Sequence, residues 1–273
     1  MFFAYLFTLA LVQGLTEFLP VSSSGHLVLV HAAFGGGRDW ESHMLLDVAV
    51  HVGTLCSVLL YFRADVLAML AGVRDWLAGR YDSKGARLNI HVLVSSIPVM
   101  VAGYILHALE PPWLLSVWIV AWTTLLFGIV LWIADLKGPV KKQQDDMGMR
   151  DALIIGCAQA LALVPGTSRS GITMTAARFL GYSRTEAARY SLLLAIVAIS
   201  GAGLLGGLDL VKQGDVKVTT DVLMTAFLSF VAGWVSISLM MKWLAHATFT
   251  IFAIYRVILG VGLLILLYTG IIS

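Results

Sequence analysis

Two short polar runs interrupt otherwise apolar sequence, and both hold residues suited to phosphate chemistry. The first is Gln13-Gly-Leu-Thr-Glu17-Phe-Leu-Pro20-Val-Ser22-Ser23-Ser24-Gly25-His26. Gln13 and Glu17 are four apart, so a helix presents them on one face. Ser23 and His26, three apart, share a face of the helix expected after the break. The three serines fall at its N-cap and first turn, where unpaired backbone N–H groups and the helix dipole favour an anion. The second run is Val164-Pro165-Gly166-Thr167-Ser168-Arg169-Ser170-Gly171, also at an expected helix start. The planar guanidinium of Arg169 suits bidentate phosphate binding, and the hydroxyls of Thr167, Ser168 and Ser170 add donors. An ionisable residue inside an apolar segment is costly and marks a functional site by default. Glu17 would repel a bound phosphate unless a cation stood between them. A divalent ion, Mg2+ or Ca2+, held by Glu17 and Gln13 fits that place.

These runs must be positioned by elements built for a bilayer. Of 273 residues, 59% are hydrophobic and 12% charged, against about 25% charged in soluble domains. That leaves too little polar surface for water, so the bilayer is the solvent. The net charge of +2 comes from basic residues scattered over a few loops, which argues against a nucleic-acid partner. The N-terminus lacks the basic region and small-residue cleavage site of a signal peptide. Cys56 and Cys157 lie in apolar runs and read as packing residues, not as a disulfide or metal pair.

Six stretches are long enough to cross the hydrocarbon: 44–62, 89–109, 113–134, 187–208, 220–243 and 250–271. Regions 2–34 and 151–180 are apolar but broken by the polar runs, and irregular backbone at membrane depth must be buried in protein or line a cavity. Each is therefore expected to be a re-entrant helix hairpin followed by three crossings. The expected fold is an all-α integral membrane protein of one domain, 1–273. It has six transmembrane helices and two re-entrant hairpins in inverted-topology repeats, 1–135 and 136–273, with a site near the midplane. Thirteen basic residues share one side: Arg63, Arg74, Arg80, Lys84, Arg87, Lys137, Lys141, Lys142, Arg150, Arg178, Arg184, Arg189 and Lys242. Arg38, Lys212 and Lys217 fall on the other. The positive-inside rule places the thirteen in the cytoplasm, and both termini with the mouth of the first hairpin outside.

On these motifs the chain resembles the undecaprenyl-diphosphate phosphatases of the bacitracin-resistance type. That family has Glu or Gln, three residues, then Glu, followed by Pro-x-Ser-Ser-[Ser/Thr]-Gly-His, which matches 13–26. Its Pro-Gly-x-Ser-Arg-Ser-Gly matches 165–171. Weaker family-like stretches are Asp47-Val-Ala-Val-His51-Val-Gly53-Thr54, Ser95-Ser-Ile-Pro98, Arg189-Tyr-Ser-Leu-Leu-Leu194 and Tyr255-Arg256. The resemblance covers essentially the whole chain. It implies a bacterial inner-membrane phosphatase acting on a long-chain polyprenyl diphosphate at the outer leaflet. The product is the lipid monophosphate, recycled for peptidoglycan synthesis, and the activity confers bacitracin resistance. Glu17, Ser23, His26 and Arg169 take the positions of the family's catalytic residues, with Ser22, Ser24, Thr167, Ser168 and Ser170 around the phosphate. Gln13 stands where Glu is commoner, removing one metal-binding charge. Val197 stands where proline is usual, removing a source of kinking. Partners are the lipid substrate and membrane lipids, with a homodimer left open.

For mechanism, neutral His26 is favoured as nucleophile on the terminal phosphorus; Ser23, with His26 as its base, is the alternative. Arg256 reads as a structural brace, and Asp47 with His51 divides evenly between reaching the site and bonding between helices. His31, His43, His91, His107 and His246 read as non-catalytic. Trp40, Trp113, Trp118, Trp132 and Trp243 suit the interfacial aromatic belt, and Gly201–Gly207 suits close helix packing. Two rival readings remain. Inverted repeats with broken helices also describe carriers or flippases of anionic lipids, though these need no Ser/His pair. Phosphatases with a Ser-Arg-x5-His-x3-Asp motif are disfavoured, since Thr175 and Phe179 occupy the His and Asp positions.

Overall fold

The computed structural model describes residues 2–34, 40–109, 116–213 and 220–271. Arg38, Trp113, Lys217 and the side chains of Trp40, His43 and Lys212 lie outside the described residues. Every named element is helical. Six helices are long and apolar enough to cross a membrane: α3 (Trp40–Tyr61), α5 (Lys84–Leu109), α6 (Val117–Lys137), α9 (Arg184–Gln213), α10 (Thr220–Leu244) and α11 (Thr250–Tyr268). They coincide with the six stretches expected from hydropathy. Helix α9 runs unbroken through Val197, as the absence of proline there allows.

Four shorter helices make the two interrupted regions: α1 (Phe2–Thr16) with α2 (Ser23–Phe34), and α7 (Met149–Ala160) with α8 (Arg169–Phe179). None has the roughly 20 residues a crossing needs. Helices α1 and α2 pack on each other, as do α7 and α8. The first pair is seated through α1 on α10 and α3, the second on α5, α6 and α9. Close approach is built in at particular glycines. A Cβ at Gly14 of α1 would lie 2.5 Å from Ala232 Cβ of α10, and one at Gly128 of α6 would lie 2.8 Å from Arg256 Cβ of α11. The Gly201–Gly207 run does not serve this purpose. Among the described residues a Cβ at Gly201, Gly203 or Gly207 would meet nothing within 4 Å, whereas Gly206 approaches α3. Apart from Gly206, the small residues here do not mediate a close approach to a neighbouring helix among the described residues.

One element was not expected. Arg63–Leu77, read from its charges as loop, forms α4. Its Leu67, Leu70, Val73 and Leu77 are exposed, and its charged residues sit between them. A helix with one apolar face, attached at the basic end of the bundle, suits the membrane interface. Hydropathy windows tuned to spanning segments pass over such a helix. It is tied down by an ion pair from Asp65 to Arg189 of α9. Cys56 and Cys157 are free and exposed on α3 and α7, so they face outward and do not fill the core. Trp118, Trp132 and Trp243 are half-exposed on the helix surfaces.

Candidate active site

Both interrupted regions begin their second helix in the same way, after a serine at positive φ. Glu17 N still donates to Gln13 O (2.9 Å) before Pro20 prevents further helix, and Val21 N turns back to Leu19 O (2.7 Å). Ser22 then takes φ +75° and α2 starts at the next residue. In the second region Ser168 takes φ +71° and α8 starts at Arg169. Among the described residues these are the two non-glycine positions at positive φ. That conformation costs about 1–3 kcal/mol and clusters at functional sites. Ser168 Oγ also caps α8, accepting from Gly171 N at 3.2 Å.

The two breaks touch. Arg169 Nη2 donates to Glu17 Oε1 at 3.1 Å, and Ser170 Oγ donates to the Leu19 carbonyl at 2.9 Å. Glu17 Oε2 accepts from Gln13 Nε2 (2.9 Å) and from Ser23 Oγ (2.8 Å). The Glu17 side chain is 7% exposed and that of Arg169 16%. Burial this deep is tolerable because each carboxylate oxygen has a donor and one donor is charged. Gln13, Glu17, Ser23 and Arg169 thus form one connected cluster.

His26 is placed differently. Its Nδ1 lies 2.7 Å from the Ser22 carbonyl and its Nε2 2.5 Å from the Tyr255 hydroxyl; no hydrogen bond joins it to Ser23. The expected Ser23–His26 pairing is therefore not the one made. Ser23 is the first residue of α2, and helical side chains lean toward the N-terminus. Its hydroxyl leans into the break, where Glu17 waits, while His26 one turn later reaches α11. Arg169 is the positive charge standing beside Glu17. Gln13 Oε1 is buried without a hydrogen-bond partner among the described residues. A divalent ion taking that oxygen and one from Glu17, with phosphate or water completing its shell, fits these residues. No group of three or more His, Cys, Asp or Glu among the described residues could hold a metal by itself.

Of the hydroxyls assigned to phosphate, Ser22 and Ser24 lie 3.4 Å apart across the first break. Ser24 is exposed and Ser22 buried. In the second break Ser168 and Ser170 lie 3.3 Å apart; Ser168 caps its own helix and Ser170 reaches across to Leu19, whereas the buried Thr167 hydroxyl makes no hydrogen bond among the described residues.

This cluster belongs to a chain whose residues 6–262 match the family described as bacitracin resistance protein BacA. The chain belongs to that family. It is 47% identical to the undecaprenyl-diphosphatase of Jannaschia sp. (strain CCS1), covering 96% of this chain and 98% of the relative. Identity to the undecaprenyl-diphosphatase of Ruegeria pomeroyi is 46% over 97% and 98%. For that of Hahella chejuensis it is 46% over 96% and 97%.

Several supports of this BacA-family site carried little signal in the sequence. Arg256 is wholly buried and acts as the expected brace, donating to Gly166 O (2.9 Å) and to Thr124 O (3.2 Å). Thr123 Oγ1 reaches the Pro165 carbonyl (2.5 Å), so α6 and α11 together hold the second break. Arg169 is steadied by the Ser191 carbonyl (3.4 Å), and Thr173 Oγ1 donates to Ser191 Oγ (2.7 Å). A lone serine or threonine in an apolar helix is too common to flag. Tyr255-Arg256 is one of the weaker family-like stretches, but nothing in the sequence assigns the tyrosine to His26. Asp47 takes the interhelical course: its carboxylate meets His31 Nε2 at 3.0 Å, and His31 Nδ1 meets the Tyr5 hydroxyl at 2.9 Å. His51 Nδ1 bonds to the Asp47 carbonyl within its own helix (2.7 Å).

Proposed function

We propose that this chain is an undecaprenyl-diphosphatase. It hydrolyses the polyprenyl diphosphate to the monophosphate and inorganic phosphate at the outer face of the bacterial plasma membrane. The observation that carries the reading is the contact between the two breaks, where Ser23, Glu17 and Arg169 meet through hydrogen bonds. The shared strained serine, the short paired helices and the three long helices after each pair support two re-entrant hairpins in inverted repeats. The thirteen basic residues support a cytoplasmic basic end, with the termini and the mouth of the first hairpin outside.

In the mechanism this geometry favours, Ser23 Oγ attacks the terminal phosphorus and its proton passes to Glu17, to which it is already bonded. The anhydride P–O bond breaks and polyprenyl monophosphate leaves. Arg169 turns its fork from Glu17 to the equatorial oxygens, aided by the N-termini of α2 and α8. Water then attacks the phosphoserine with its proton taken by His26 Nε2. The P–Oγ bond breaks, phosphate leaves, Ser23 recovers its proton from Glu17, and His26 returns its own to solvent. A divalent cation held by Gln13 Oε1 and Glu17 would neutralise diphosphate oxygen charge. A second reading makes His26 Nε2 the nucleophile, favoured by the Ser22 carbonyl anchoring its Nδ1.

Rapid quench of enzyme with radiolabelled diphosphate separates these. Acid-stable label on Ser23, and loss of turnover in Ser23→Ala, are expected; acid-labile label on His26 would transfer the nucleophile's role. Phosphate release in detergent, where no gradient exists, is expected of the enzyme. Its absence in active-folded protein would favour a lipid carrier.

A further inference from the structure

Tyr255 directly contacts His26, a group with a proposed part in the reaction, and has no role yet assigned. Its hydroxyl lies 2.5 Å from His26 Nε2, and its ring stacks on the imidazole with centroids 5.7 Å apart and planes 15° apart. The other imidazole nitrogen faces the Ser22 carbonyl, which can only accept, so in the neutral ring Nδ1 carries the hydrogen. Nε2 is then a bare lone pair, and the Tyr255 hydroxyl is the donor that meets it. The next residue, Arg256, holds the Gly166 carbonyl of the second break. Two adjacent residues of α11 therefore grip the two breaks, one at His26 and one at Gly166.

We infer that Tyr255 is a positioning residue for the phosphatase reaction: ring and hydroxyl together fix the tautomer and aim of His26 and keep Nε2 occupied until water replaces the hydroxyl there. The inference rests on the proposed role of His26 and specifies what orients it. Without the hydroxyl the imidazole retains one anchor and can turn about it. Half-exposed on α11, the tyrosine has no part in the buried core, so Tyr255→Phe keeps the ring stack and the fold.

The test measures steady-state kinetics, thermal midpoint and the carbethoxylation rate of His26, followed by peptide mass mapping, in wild type and Tyr255→Phe. The expected result is kcat lower by about five- to tenfold, as loss of one hydrogen bond to the reacting ring implies. KM stays within about twofold and the thermal midpoint is unmoved. Carbethoxylation of His26 accelerates severalfold because its lone pair is uncovered. A wild-type or raised kcat, or an unchanged modification rate, overturns the inference. Tyr255→Leu, which also removes the stack, should lower kcat further; equal kcat in the two variants would deny the ring its part. His26→Ala judges the underlying reading separately: full activity there defeats the role of His26 itself, while the modification rate in Tyr255→Phe still reports the contact.

Discussion

Removing the guanidinium of Arg169 leaves the Glu17 carboxylate 7% exposed with two neutral donors, Gln13 Nε2 and Ser23 Oγ. Breaking a buried pair from one side costs about 3–5 kcal/mol, because the remaining charge stays desolvated. Arg169→Met is expected to lose that much. Glu17→Gln should lose less, since Arg169 is the more exposed partner and keeps the Ser191 carbonyl. Changing both residues removes the stranded charge, so the double variant should regain about 2–3 kcal/mol over the sum of the singles. The assay is equilibrium unfolding of the four purified proteins in mixed micelles, titrated with a denaturing detergent. Additivity within about 0.5 kcal/mol would falsify the claim that this pair joins the two breaks energetically. The same proteins report the chemistry. In Arg169→Lys a point charge replaces the fork, and phosphate release should fall more than about tenfold while stability is largely kept.

Other outcomes follow from particular contacts. Ser22→Gly or Ser168→Gly should relieve the positive-φ cost and leave the unfolding free energy level or raised by up to about 1 kcal/mol. A β-branched residue at either position should lower it; unfolding titrations decide. Gln13→Glu should lower the Mg2+ concentration needed for half-maximal phosphate release, as a second carboxylate beside Glu17 strengthens a hard-cation site. An unchanged metal dependence removes Gln13 from that site. Asp135 is fully buried, pairs with Arg184 at 2.6 Å and with Arg178, and accepts from Phe249 N. Asp135→Asn should cost about 3 kcal/mol, read as a lower thermal midpoint. Burial, and then the bond to Asp151, push the Tyr182 phenol well above its ordinary value. Its contribution is therefore present below about pH 10 and lost as pH rises past that value. Tyr182→Phe should flatten the alkaline fall in thermal midpoint.

The six crossings were legible because each is a long apolar run, and a bilayer permits little else of that length. The two breaks were legible for the converse reason: proline, glycine and hydroxyl residues amid apolar sequence need a purpose. Spacing also grouped Gln13 with Glu17 correctly, because Glu17 N still closes a helical turn on Gln13 O just past the end of α1. It failed for Ser23 and His26. Sharing a helix face does not decide which neighbour each side chain meets, and Glu17 and Tyr255 come from elsewhere in the chain. Helix α4 escaped because its apolar residues are spaced around charges. The glycine run at 201–207 misled because small residues permit close packing without compelling it. Thr123, Ser191 and Tyr255 act through contacts 42, 22 and 229 residues distant, which one-dimensional spacing does not encode.

The matched strained serines have one more consequence. Overlaying Ser22 on Ser168 sets Gln13 on Gln159, Ser24 on Ser170 and Gly25 on Gly171, yet Glu17 falls on Leu163, Ser23 on Arg169 and His26 on Ile172. The two segments share a backbone plan and divide the chemistry: one carries the acid, hydroxyl and imidazole, the other the guanidinium. Neither is a working unit, and a second copy of either would not replace the missing one. A chain severed between Lys137 and Met149 should accordingly be inert as separate pieces and recover turnover only when the unlike pieces reassociate.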